Sequence, residues 1–331
     1  MPEALNIQDS SWSGFAAAEF ITRSVVEMDT FKRGCVKIQD NIKKAYTIPR
    51  IEVSNFMQRR AATPLSQGLL TVDGKVLVPQ DMMLYYEFNP RDFEQHFYAE
   101  QLSPTLLGRE LPVTAENFMV MQTMKRLNEF FENAIWKSRK AYDSLGLNIN
   151  PTTKNAAAGD SAYFYFDGLV TKALNDVTVI QVPSPVVLTS LNVRAKFQQA
   201  LTLVPKALLY KYGAGGLKFM VAYSTQLVYE QALREDTFKN ENTTDAGVNK
   251  YSNYDVVPLA GLPDNTFFVC IAKPDMDSNL WLGLNSTTDE NNLQLQRLQN
   301  NSELFFIKGL FKMDTQIGFG DQLVMHTLIA Q

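Results

Sequence analysis

The chain is poor in the residue types that most often carry chemistry. It has two cysteines, Cys35 and Cys270, and two histidines, His96 and His326, among 331 residues. Two cysteines so far apart exclude a disulfide framework and read as small buried hydrophobes, in keeping with a reducing compartment. Two histidines cannot make a zinc centre, which takes three or four ligands; both read as surface or edge residues. A basic excess is missing too. Lys and Arg total 31 against 35 Asp and Glu, for a net charge of −4. A sequence-specific nucleic-acid binder usually carries a basic stripe, and the pairs Lys43-Lys44 and Arg59-Arg60 are too short to be one. No apolar run approaches the roughly 18 residues that read as a membrane span. The opening MPEALNIQDSSWSG has neither the basic start nor the apolar stretch of a signal peptide.

Catalytic and ligand-binding signatures are equally scarce. GAGG at 213–216 precedes a strand pattern, not a helix, and no Lys-Ser/Thr follows it, so it reads as a turn and not as a phosphate loop. Asp275, Asp277 and Asn279 have calcium-loop spacing, but Leu280 stands where that loop needs glycine and Ser286 where it needs glutamate. Carboxylate pairs such as Asp289-Glu290 fall in polar loops. Trp12, Trp136 and Trp281 read as packing anchors. No catalytic, cofactor or metal site is assigned.

What the chain does have is core. Hydrophobic residues make up 45% and charged residues 20%, enough for two ordinary domains or one large elaborated one. Residues 1–45 read as an arm, with an amphipathic helix around Phe20 to Phe31. Residues 46–88 are rich in β-formers, and Asp73-Gly74 between LLTV and KVLV predicts a hairpin turn. Such an excursion cannot bury both faces on its own chain. RDFEQHFYAEQL at 91–102 suggests a short helix. Then Phe118, Met121, Met124, Leu127, Phe131, Ile135 and Tyr142 recur at three- and four-residue steps. The helix is expected to run from Thr114, its N-cap, to Leu145, unusually long for a globular protein. Lys125, Arg126, Glu129, Glu132, Lys137, Arg139 and Lys140 read as its solvated face.

A polar loop at 148–161 leads to a second body. Ser190 is placed to cap a helix that Pro205 ends or kinks, and Ser224 or Thr225 to cap another. LKFMVAY and NTFFVCIA read as buried strands. The alternation of helix and strand from Pro185 to Ala272 predicts a compact α/β subdomain. LQLQRLQ, FFIKGLFKMDTQIGFG and QLVMHTLIA read as closing strands of period two.

The order arm, β-excursion, long helix, α/β body and return strands resembles the major capsid proteins of tailed bacteriophages with the HK97-type fold. GLLTVDGKVLVPQDMMLYYEFNPRDFEQHF is similar to the extended-loop limb and following helix in phages of Bacteroides-like hosts. RLNEFFENAIW resembles the end of the spine helix. KYSNYDVVPLAGLPDNTFFVCIA with DSNLWLGLNS resembles the passage out of the axial domain, and FIKGLFKMDTQIGFGDQLVMH the closing strands of the peripheral domain.

The resemblance covers residues 40–331 and implies an α+β fold in five parts. These are an N-terminal arm (1–45), an extended β-loop (46–90), a linker helix, spine helix and first part of the peripheral domain (91–184), an axial α/β domain (185–284), and return strands of the peripheral domain (285–331). It implies a structural protein and not an enzyme: a coat subunit, many copies of which meet as hexamers and pentamers to form an icosahedral head in the virion. Assembly would take place in the host bacterial cytoplasm, with no membrane and no cofactor. The implied partners are double-stranded DNA, touched non-specifically, the portal, and scaffold or decoration proteins as a further option. Arg59, Arg60, Leu69, Leu70, Val76, Leu77 and Val78 become candidates for intersubunit contact, and Phe118, Met121, Leu127, Phe131 and Ile135 for the core of the spine helix. Two alternatives stand beside this reading: an encapsulin-type nanocompartment shell, and an uncharacterised enzyme or binding module.

Overall fold

Two sheets of apolar strands organise the chain, and one long helix touches both. The computed structural model describes residues 10–13, 28–53, 57, 59–60, 70–88, 113–140, 165–212, 216–235, 250–285, 292–297 and 304–329. The helix expected at 91–102 and residues 20–27 of the arm helix lie outside them. In chain order the elements are β1 (Ser10–Ser13), α1 (Asp29–Lys32), β2 (Lys37–Gln39), β3 (Tyr46–Thr47), β4 (Arg50–Val53), β5 (Leu70–Asp73), β6 (Val76–Leu77), β7 (Gln80–Phe88), α2 (Val113–Lys137), α3 (Leu169–Asn175), β8 (Ile180–Gln181), α4 (Val193–Leu203), α5 (Lys206–Tyr212), β9 (Leu217–Ala222), α6 (Tyr223–Arg234), β10 (Lys250–Tyr251), β11 (Tyr254–Leu259), β12 (Phe267–Ile271), β13 (Leu280–Leu284), β14 (Asn292–Arg297), β15 (Phe305–Ile317) and β16 (Val324–His326).

The first sheet runs β10-β11-β9-β12-β16-β8. Its central strands are buried on both faces, which is why LKFMVA and FFVCI show no alternation. Alternate residues nevertheless serve different cores. Met220, Phe268, Cys270 and Met325 join the main core under α2, whereas Phe219, Phe267, Val269, Ile271 and Val324 face a second core with Val193 and Phe197 of α4 and Tyr229 of α6. Pro205, which lacks a backbone N–H, separates α4 from α5. The expected caps are not used: α4 starts at Val193 after Asn192, and α6 starts after Ala222, with Ser224 Oγ donating to Asp264 instead. The last strand also departs from expectation. β16 does not continue the return strands; it pairs with β12 and β8 in the first sheet.

The second sheet runs β1-β14-β15-β13-β2, with β7 along the opposite edge of β15. β15 alternates: Phe305, Ile307, Phe311 and Met313 are buried, while Phe306, Lys308, Leu310 and Lys312 turn outward and are only partly buried. The inner row meets α2, where Phe131 stands edge-on to Phe311 at 5.1 Å. One turn later Trp136 packs on Phe268 of the first sheet at 5.6 Å. α2 thus clamps the two sheets together, and Leu127, Phe131 and Ile135 are buried in that clamp. Phe118 and Met121 lie within α2, but their side chains fall outside the described residues.

α2 differs from its expected form in three ways. It begins at Val113, so Thr114 lies inside the first turn and is not the cap. It stops at Lys137, well before Leu145, because tertiary partners take the next residue. The Ser138 carbonyl accepts from Gly168 N–H (2.7 Å) and Thr171 Oγ (2.9 Å), and its hydroxyl accepts from Phe166 N–H (3.3 Å). Finally, Glu132 and Arg139 of the supposed solvated face are buried.

Glu132 is buried for a reason that also moves the arm boundary. Its carboxylate accepts from Thr30 N–H (3.0 Å) and Thr30 Oγ–H (2.6 Å), with Gly261 N–H as a third donor. Trp136 Nε1–H donates to the same Thr30 oxygen at 2.8 Å. Met28, Cys35 and Val36 are in the main core, and Lys218 Nζ caps the carbonyls of Arg33 (3.2 Å) and Gly34 (3.1 Å). Residues 28–39 therefore belong to the body, although the sequence places them in an arm that ends at 45. Gly261 completes the junction: a Cβ there would meet the Glu132 carbonyl at 2.2 Å.

Candidate functional site

Among the described residues the polar side chains do not converge on a reaction centre. Among the described residues no group of three or more His, Cys, Asp or Glu could hold a metal ion. Asn279, the third residue of the calcium-like spacing, is buried and uses its amide to bind the backbone of Phe319 in both directions, at 2.6 and 2.8 Å. Both cysteines are fully buried; burial pushes the Cys35 thiol up to about 11 and the Cys270 thiol up as well, so both stay protonated. His326 is likewise buried, which corrects its reading as a surface or edge residue. Two surfaces among the described residues are candidates for contact instead.

The first surface is a β-ribbon. β3 pairs with β6 and β4 with β5, both antiparallel. Thr47 faces Val76 and Arg50 faces Asp73, three residues further along each strand, so the two pairs share one register and form one ribbon. Asp73-Gly74 is therefore not the hairpin tip that the sequence suggests. It lies partway along, where Gly74 stands across from Pro49. Proline cannot donate to the ladder, and a Cβ at Gly74 would meet the Ile48 carbonyl at 2.2 Å. The strong turn dipeptide is used instead for close backbone approach.

The base of the ribbon is fixed to the body. Leu77 is fully buried with Ile42, Ile48 and Trp281, and Tyr46 stacks on Trp281 at 6.4 Å. Val78 N–H donates to Asp314 (2.8 Å), Gln316 to the Val76 carbonyl (3.0 Å), and Lys75 pairs with Asp176. Burial pushes the Asp314 carboxyl up, opposed by Lys172 at 3.3 Å and by the Val78 and Thr315 N–H groups. Burial would raise Asp176 as well, but Lys75 and Thr178 together hold it below its ordinary value. Leu77 must be removed from the intersubunit candidates: strand alternation turns it inward, whereas Val76 and Val78 are 41% and 44% exposed. Arg59 and Arg60 are exposed. Leu69 and the side chain of Leu70 lie outside the described residues.

The second surface was not singled out from the sequence. The outward row of β7 carries Met83 (59% exposed) and Tyr85 (46%). Across the ladder Tyr85 faces Lys308 and Met83 faces Leu310. Tyr85 packs on Phe306 at 5.9 Å, its hydroxyl donates to Glu87 at 2.6 Å, and Lys312 pairs with Asp81 at 3.2 Å. QDMMLYYEF has apolar residues on both strand faces, a signal that both are meant to be covered, whereas a sheet with one solvated face alternates cleanly.

No protein-family model and no curated sequence matches the chain. Solved structures do. A chain of the satellite phage P4 procapsid including size determination (Sid) protein aligns over 93% of this chain and 97% of its own, with a TM-score of 0.56 and 9% identity. The capsid of Myoviridae phage XM1 aligns over 98% and 95%, at 0.52 and 9%. A virus-like particle from Pyrococcus furiosus aligns over 94% and 98%, at 0.51 and 7%. At such identities the likeness is one of fold, and the fold is the α+β HK97-type capsid fold.

Proposed function

We propose that this chain is a tailed-phage major capsid protein, many copies of which build an icosahedral head around double-stranded DNA. The observation that carries the reading is the capsid fold, shared with the P4 procapsid chain over nearly the whole of both chains. The half-exposed apolar row on β7 suits it, because a shell subunit keeps apolar surface for its neighbours. In this reading α2 is the spine, the second sheet the peripheral domain, and the first sheet the axial domain. The extended loop is then residues 46–79, shorter than the 46–90 read from the sequence because β7 pairs with β15 in the second sheet. The arm is the chain before Met28, shorter than 1–45, with its strand β1 laid against β14.

Val76, Val78, Leu69, Leu70, Arg59 and Arg60 would reach an adjacent subunit in hexamers and pentamers, joined by Met83 and Tyr85. Each contact buries apolar area worth about 25 cal/mol per Å², and several neighbours per subunit turn weak contacts into a stable shell. A net charge of −4 suits a wall that touches DNA without trapping it. The portal, and scaffold or decoration proteins, would be further partners. Among the described residues no helix is long and apolar enough to cross a membrane.

The test is electron microscopy of the purified protein and of phage particles from producing cells. Closed shells or capsomer rings, and this chain in DNA-filled heads, are the expected result. A persistent monomer in all assembly conditions, absent from heads, would end the proposal. Shells filled with one co-packaged enzyme instead of DNA would favour the nanocompartment.

A further inference from the structure

His326 ends β16, is fully buried, and has both ring nitrogens engaged by backbone. Nδ1 lies 2.9 Å from the Asn265 carbonyl, and Nε2 lies 3.4 Å from the backbone nitrogen of Val186. A carbonyl only accepts, so Nδ1 carries the proton; an N–H only donates, so Nε2 is bare. The contacts thus select one neutral tautomer. The ring lies parallel to Phe267 of β12, centroids 5.0 Å apart. The charged group acting on it is Lys196 of α4. Burial first, and then Lys196, push its proton affinity below that of an ordinary histidine, against the opposing hydrogen bond to Asn265.

The segment it holds is unusual. Val186 and Val187 are exposed and Leu191 is 90% exposed, yet the backbone around them is tied down by side chains. Lys196 Nζ donates to the carbonyls of Pro183 (3.1 Å) and Ser184 (2.9 Å). Asn265 Oδ1 accepts from Leu188 N–H (2.9 Å), and Asn192 bonds both Thr189 N–H and the Val187 carbonyl at 2.8 Å. Burial holds the loop only at its ends, where Val182 and Leu188 sit in the second core; between them polar bonds hold the backbone, and one of those depends on a bare histidine nitrogen.

We propose that His326 is a proton-operated clamp on the loop at 183–188: the neutral ring holds Val186, and protonation releases it. A second proton on Nε2 would set two donors against each other across 3.4 Å. It would also place a cation near Lys196, which grips the same loop. The coupling runs from β16 through the ring to a loop that presents aliphatic side chains to solvent. It operates within one subunit and does not rest on the shell reading.

The chain has one other histidine, His96, so ring NMR of the full-length protein gives two signals, assigned with a His326→Gln variant. His326 is expected to be the Nδ1–H tautomer at neutral pH and to titrate below the ordinary value of about 6.5. Hydrogen exchange at Ser184 and at 186–188, the amide-bearing residues of the loop, divided by the intrinsic pH-dependent rate, should accelerate about tenfold for each unit fall in pH between about 6.5 and the lowered midpoint, as one linked proton requires. In His326→Gln, whose amide cannot titrate, that step should vanish while exchange elsewhere keeps its wild-type pH dependence. Should the variant fail to fold, coincidence of the ring titration and the loop exchange in the wild type decides the matter. An Nε2–H tautomer, an ordinary titration midpoint, exchange at 183–188 that ignores the ring, or a step that survives in His326→Gln would each overturn the clamp.

Discussion

Each sheet contains a strand with apolar residues on both faces, β12 in the first and β7 in the second, and the two end in different surroundings. In the first, β12 is buried at every position, with one residue set facing α2 and the other facing α4 and α6. In the second, β7 puts Met82 into the core but leaves Met83 and Tyr85 exposed on the other face. The difference shows which strands the described residues cover on both faces and which on one. In the proposed shell, a strand with apolar residues on both faces and cover on one would receive a further layer from a neighbour.

The comparison breaks most visibly at the clamp between the sheets. Ile135→Asp would bury an unpaired charge under both, and should cost more than about 4 kcal/mol and remove soluble folded protein. Soluble yield and thermal unfolding check it; a stable Ile135→Asp protein would mean that α2 does not join the sheets. Next come two truncations. Removing residues 1–27 takes away only the edge strand β1 from the second sheet and should leave the rest of the body folded. Removing 1–30 also takes Met28 from the core and both Thr30 donors from Glu132, at a cost of about 3–5 kcal/mol. Denaturant midpoints of the pair isolate those three residues, and equal midpoints would return them to the arm.

A third test separates the two faces of the ribbon. Leu77→Ala should destabilise the isolated subunit by about 2–5 kcal/mol. Val76→Ser with Val78→Ser should leave it within roughly 0.5 kcal/mol per site and weaken assembly instead, as should Met83→Ser. Unfolding curves and sedimentation of assembly reactions give the two readouts, and a reversed pattern would exchange the roles of the faces.

The smallest effect is in the pH dependence. Burial raises Glu132, opposed by its hydrogen bonds to Thr30 and Gly261, so the folded chain binds this proton more tightly than the unfolded chain. Its contribution to stability is full below the ordinary glutamate range of about 4.3 and is lost as pH rises through the folded value. Glu132→Gln should flatten that decline in stability measured across acid to neutral pH. An unchanged slope would mean that Glu132 does not titrate there.

The periodic elements were legible because period is local. The Leu127, Phe131 and Ile135 stripe follows from 3.6 residues per turn, and the apolar runs of β9 and β12 from their residue types alone. The capsid resemblance likewise came from the order of such elements along the chain. Other features depended on partners far away in sequence. Ser138 could continue a helix until Gly168 and Thr171 take its carbonyl. Asp73-Gly74 favours a tight turn until Pro49 and the Ile48 carbonyl lie against it. Glu132 looks like surface until Thr30 arrives with two donors, and His326 until Val186 and Asn265 close on its two nitrogens. Sequence by itself determined the strongly periodic or apolar elements, α2, α4, α6, β9 and β12 among them, and which of their residues are apolar enough to be buried, because both follow from short-range spacing and transfer from water. Tertiary structure alone decided where the long helix ends, which sheet takes the last strand, and which polar side chains go inside. Those depend on hydrogen-bond partners roughly 30 to 140 residues apart, which nothing local in the sequence records.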